Sequence, residues 1–103
     1  MQKKNIEKTE VKKVSDHETV KIGSKPAINY LLATATLFAQ GAKSVTLKAR
    51  GKSIITAVNV EEGIKRRISL KKPAITLKTE MLQDHKTKKA VRVSAIDILL
   101  EPK

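Results

Sequence analysis

Residues 22–53 read IGSKPAINYLLATATLFAQGAKSVTLKARGKS, a run that joins a basic loop, an apolar helix, a strand and a second basic turn. Gly23-Ser24-Lys25-Pro26 has the order of a helix start: a glycine, then Ser24 as N-cap, then Pro26 in the first turn, where its missing N–H costs nothing. From Ala27 to Gln40 the chain is apolar on nearly every side, and Gly41 follows as a stop. A helix that apolar has to be covered on more than one face, and in a short chain a second subunit would supply part of the cover. Next, Val45, Leu47 and Ala49 alternate with Thr46, Lys48 and Arg50, the period of a strand with one face in the core and one in water. Two cations therefore leave the sheet on one side before Gly51-Lys52-Ser53 turns the chain into another helix.

The flanks complete the pattern. Residues 1–18 alternate Lys and Glu with few aliphatics, which predicts a flexible extension ahead of a single domain over 19–103. Thr19 to Ile22 reads as a short first strand, and the strand after the apolar helix runs from Lys43 to Arg50. A second helix is expected from Ser53 to Ile68, with Ala57, Val60, Ile64 and Ile68 at helical spacing. Glu61–Lys65 and Glu62–Arg66 are i,i+4 pairs in the favourable order, whereas Gly63 costs roughly 1 kcal/mol relative to Ala in a helix interior. Lys71-Lys72-Pro73 breaks the chain, and two long strands follow, Ala74 to Gln83 and Ala90 to Leu100, around the polar tip Asp84 to Lys89. In the last strand Val91, Val93 and Ala95 share one phase and Ile96, Ile98 and Leu100 the other, which predicts a bulge or sharp twist near Ser94 and Ala95. The expected fold is α+β, a two-layer sandwich in the order β-α-β-α-β-β. Two helices cover one face of a four-stranded mixed sheet, and a β-hairpin arm protrudes from it.

Charge narrows the function. The 103 residues carry 22 Lys and Arg against 10 Asp and Glu, a net +12 with pI near 10.1. Residues 1–20 contribute only +1 of this, so the excess belongs to the folded part. An ion-pair-rich surface of a heat-stable protein would carry both signs in similar numbers, so the imbalance points to a polyanionic partner. No cysteine is present, which excludes disulfides and cysteine-based zinc sites. No apolar run reaches the ~20 residues that span a bilayer, and the basic start is not followed by an apolar export segment.

The order Gly23, Lys25-Pro26, Asn29-Tyr30, then Gln40-Gly41, then Lys48-Ala49-Arg50-Gly51-Lys52, closing with Arg92-Val93-Ser94-Ala95-Ile96-Asp97-Ile98, resembles the Alba family of small archaeal nucleic-acid-binding proteins over roughly residues 19–101. The resemblance implies an architectural, chromatin-type protein that binds duplex DNA, and RNA as well, with little sequence preference. It implies a dimer, either of identical chains or with a paralogue, whose paired arms reach into a minor groove, and a cytoplasmic, chromosome-associated location. A ribonucleoprotein component or RNA-stability factor is the alternative within the same class. The matching positions are Lys25, Arg50 and Lys52. Position adds Ser24 beside Lys25 in the first loop, and basic character adds Lys48 on the strand and Lys86, Lys88, Lys89 and Arg92 on the arm. Two departures stand out. Ser24 occupies a position where the family commonly has an acetylatable lysine, and Ile68 lies where many relatives carry an aromatic residue used between dimers.

Other classes fit less well. Gly51-Lys52-Ser53 between strand and helix is similar to the end of a P-loop, but the glycine required five positions earlier is Thr46. His17 and His85 are far apart and read as surface residues rather than metal ligands, and no nucleophile, base and acid stand in a catalytic pattern, so neither enzyme nor cofactor is expected. The only aromatics, Tyr30 and Phe38, fall on the apolar helix, which disfavours a base-stacking platform. Tyr30 is better read as a packing residue with its hydroxyl satisfied. Neither helix pairs a cationic face with an exposed aromatic one, so a membrane surface is not the partner.

Overall fold

The computed structural model describes residues 14–103; the expectation for the first 13 residues lies outside them. Six elements follow in the expected order: β1 His17–Lys21, α1 Ala27–Ala39, β2 Ser44–Arg50, α2 Ser53–Lys65, β3 Ala74–Gln83 and β4 Ala90–Leu100. The sheet order is β1-β2-β4-β3, with β1 parallel to β2 and the other neighbours antiparallel. The mixed sheet, the two helices and the hairpin are as the sequence predicts. β1 starts two residues before the expected Thr19, because Asp16 O accepts from the amides of Lys43 and Ser44 and His17 Nδ1 lies 2.7 Å from Ser44 Oγ.

The core lies between the helices and one face of the sheet. Val20, Val45, Leu47, Ala49, Ile96, Ile98 and Leu100 point into it, and Leu31, Ala57, Val60 and Ile64 close it from above. Thr34 is fully buried among them and donates its hydroxyl proton to Tyr30 O at 2.8 Å. The helices approach closely because position 63 is glycine: a Cβ there would stand 2.8 Å from Leu31 Cδ1. The residue that weakens α2 as a helix thus sets its distance from α1.

Three local expectations are corrected. Ser24 is not the N-cap of α1; Pro26 holds that position, its ψ of 150° extended, and no side chain caps the helix. The C-terminus is as expected, since Gly41 at φ 107° lets its amide donate to Phe38 O and that of Ala42 to Leu37 O, a Schellman closure. α2 ends at Lys65 rather than Ile68: Arg67 Nη1 donates to Gly63 O at 3.2 Å and Ile68 folds back against the core. Its Glu61 is buried and pairs with Lys65 at 3.4 Å, and Lys65 also reaches Glu62 at 3.4 Å, so the expected Glu62–Arg66 pair is replaced. Hydrogen bonding and charge from Glu61, then the charge of Glu62, raise the Lys65 pKa above its ordinary value.

No bulge interrupts β4. Its register with β3 runs without a break from Ala74↔Leu99 to Gln83↔Ala90, and that with β2 from Val45↔Leu100 to Arg50↔Ala95. The two apolar phases face two sides of one regular strand: Ile96, Ile98 and Leu100 lie under the helices, whereas Val91 and Val93 face the opposite way on the arm. β2 stops at Arg50↔Ala95, while β3 and β4 continue through five more pairs, Thr79↔Ser94 to Gln83↔Ala90. At ~3.3 Å per residue the arm extends about 17 Å past the body.

Candidate nucleic-acid interface

The first loop is held by two side chains, Tyr30 and Ser53. Tyr30 Oη accepts from the amide of Gly23 at 2.9 Å and from that of Lys25 at 3.1 Å. Ser53 Oγ then donates to Gly23 O at 3.1 Å, tying the loop to the start of α2. The β2–α2 turn is fixed on its other side, where Gly51 at φ 52° donates its amide to Ser94 O at 2.8 Å at the base of the arm. Loop, turn and arm base therefore meet at one end of the molecule. Lys25 and Lys52 leave from the loop and the turn, and the tip lysines lie at the far end of the arm.

That tip is built rather than loose. Asp84 Oδ1 accepts from the Lys86 amide at 2.9 Å and Asp84 O from the Lys88 amide at 2.7 Å, while Gln83 Nε2 donates to Lys88 O at 3.3 Å. Lys88 sits at φ 64°, a left-handed conformation that favours glycine or asparagine. Arg92 pairs across the arm with Met81, on the helix-side face, so it points away from Lys48 and Arg50. Ser24 is exposed in the loop.

The helix-free face of the sheet carries charges that the sequence reading did not assign. Register places Lys21, Lys48 and Asp97 side by side across β1, β2 and β4, with Arg50, Ala95 and Lys78 in the next row and Glu80 beyond. Lys48 Nζ and Lys78 Nζ both reach Asp97 Oδ2, at 3.2 and 3.3 Å. Arg50 Nε lies 2.7 Å from Glu80 Oε1, an oxygen with no well-aligned hydrogen bond, and Lys78 lies 3.8 Å from Oε2. Burial raises the Asp97 pKa, but hydrogen bonds and charge from Lys48 and Lys78 outweigh it and hold the carboxyl below its ordinary value. Ala95 is too small to fill the middle of the face, leaving a hollow of about 270 Å³ ringed by these side chains. Lys25, Lys52, Lys86, Lys88, Lys89 and Arg92 have no ion-pair partner among the described residues; Lys48 and Arg50 do.

This architecture has counterparts. The Alba family model matches residues 18–79, more than half of the chain. The chain belongs to the Alba family. It is 42% identical over 82 residues to the DNA/RNA-binding protein Alba of Methanocella arvoryzae, covering 78% of this chain and 84% of that one. It is 38% identical over 85 residues to DNA/RNA-binding protein Alba 1 of Archaeoglobus fulgidus, covering 82% and 96%. The solved structure of Alba from Thermoplasma volcanium superposes with a TM-score of 0.74 at 38% identity, over 81% of this chain and 98% of that one. The distal arm, from Glu80 onward, lies outside the family-model match. Among the described residues no cluster of His, Asp or Glu could hold a metal, and no helix is long and apolar enough to cross a membrane.

Proposed function

We propose that this Alba protein is an architectural nucleic-acid-binding protein that contacts the phosphate backbone of duplex DNA, and of RNA, with little sequence preference. The observation that carries this reading is the meeting of loop 23–25, turn 51–53 and the arm base at one end, held by the Ser53–Gly23 and Gly51–Ser94 hydrogen bonds and bearing Lys25 and Lys52, which have no acid partner among the described residues. Flexible cations around a preset backbone suit phosphate, which is the same at every step of a duplex. Aromatic groups for reading unstacked bases are missing from this end: Phe38 packs against the core and Tyr30 spends its hydroxyl on the loop. Relatives named as DNA/RNA-binding proteins support both ligands. The arm, with Lys86, Lys88 and Lys89 at its tip, reaches into a groove while the body rests on the backbone.

The working unit in this reading is a dimer. β3 is an edge strand whose helix-side residues Ile75, Leu77 and Met81 are 53, 71 and 60% exposed, and Ile55 of α2 is 70% exposed. An apolar edge of that kind is a pairing and aggregation hazard unless something covers it. A second copy is the cover the family resemblance implies, and it would set two arms on one duplex. The same chemistry leaves no role for a catalytic group.

Titrating random duplex DNA and structured RNA at 50 and 200 mM salt tests the proposal. A dimer neutralising ~6–10 phosphates loses about 10³- to 10⁵-fold in affinity between them, for any sequence. Affinity that ignores salt would reject it.

A further inference from the structure

The helix-free face is basic by count, yet three of its cations already face acids. Lys48, Arg50 and Lys78 contribute three positive charges, and Asp97 and Glu80 take two of them back at 2.7 to 3.8 Å. We infer that Glu80 and Asp97 are internal counter-ions occupying a phosphodiester subsite over the Ala95 hollow, and that nucleic acid gains Arg50 and Lys48 only by displacing them. The inference rests on the proposed phosphate binding and adds residues that determine its strength.

Geometry supports displacement over permanent pairing. Arg50 is 59% exposed and approaches Glu80 by Nε at 2.7 Å, so its guanidinium can be reached by a phosphate oxygen. Lys78 stands between the two acids, 3.3 Å from Asp97 and 3.8 Å from Glu80, so it can neutralise either one when its partner turns to the ligand. Without such a spare cation, each freed carboxylate would face the polyanion and repel it. Lys21, register partner of Lys48, lines the same hollow. Partly exposed ion pairs of this kind contribute little to stability, which leaves them easy to exchange.

The consequence is quantitative. Displacing an acid costs what its exposed ion pair contributes, about two- to fivefold in affinity per subunit. Glu80→Gln, which keeps size and removes charge, is expected to tighten binding to random duplex DNA about two- to fivefold per subunit engaged, with the slope of log K against log salt unchanged because Arg50 reaches phosphate in both proteins. In an Arg50→Ala background the same change is expected to do nothing. Wild-type affinity in Glu80→Gln, or an equal gain in the Arg50→Ala background, would overturn the inference, the second because it would show only a change of overall field. Should Glu80→Gln not fold, Asp97→Asn is read in the same way through Lys48, with tighter binding expected and unchanged binding contradictory. If Lys52→Ala weakens binding while Glu80→Gln is silent, this inference fails and phosphate binding stands. If the wild-type chain shows no salt-dependent affinity, both fall.

Discussion

Tyr30 sets the shape of the first loop of the candidate interface, because two of its amides end on the tyrosine hydroxyl. Tyr30→Phe is predicted to lower stability by about 1 kcal/mol, the usual worth of a hydrogen bond, and to weaken nucleic-acid binding while leaving the salt slope at its wild-type value. Chemical denaturation and a salt titration check the two halves. A changed slope would mean that Tyr30 acts through charge. Asp97 provides a pH test. Its carboxyl is held below the ordinary value in the folded chain, so its contribution is present above the unfolded value, about 3.9, and is lost as pH falls through the lower, folded one. Asp97→Asn should therefore melt below the wild type near neutral pH, with the gap closing below about pH 3.9. A gap that stayed constant down to acid pH would show that the Lys48 and Lys78 contacts do not depend on ionisation.

Among the elements, α2 and the arm carry the informative exceptions to simple pattern reading. Gly63 reads in sequence only as a weak point, since nothing in a linear pattern says that Leu31 lies 2.8 Å from where its Cβ would be. Gly63→Ala is predicted to destabilise the chain by about 1 kcal/mol, overpacking against Leu31 outweighing the gain in helix propensity. Adding Leu31→Val should return most of it, and thermal melts of the single and double variants decide. On the arm, Lys88→Gly relaxes the left-handed tip and removes one cation. It should raise stability slightly while flattening the salt slope by about 0.9 per arm. The strand and tip boundaries of the arm were legible in the alternation of Ala74–Gln83 and Ala90–Leu100 around a polar turn. Its straightness was not, because Val91 and Val93 on one face and Ile96, Ile98 and Leu100 on the other read as a register shift when only one buried face is assumed. Ser24 likewise has the residue type of an N-cap, but Pro26 begins the helix and Tyr30 claims the loop.

For the molecule taken together, the order of elements and the basic character of the loop, the turn and the tip were legible because each is local: alternation, a glycine stop, a lysine run. Which cations are free was not, since Arg50 and Glu80 are 30 positions apart and meet only through the register of β2, β4 and β3. The same limit hid the uncovered edge of β3. There, Leu77→Asp is predicted to split the proposed dimer into monomers in light scattering and to weaken binding to duplex DNA by separating the arms; a dimer that survives would contradict pairing at this edge. The central claim is that separate segments present cations to phosphate as one surface. It is tested most directly by the slope of log K against log salt for random-sequence duplex DNA, measured for the wild type and for Lys52→Ala. The account predicts a straight line of about −5 to −9 per dimer, flattened by about 0.9 for each Lys52 removed. A flat line, or one that Lys52→Ala leaves unchanged, would contradict it.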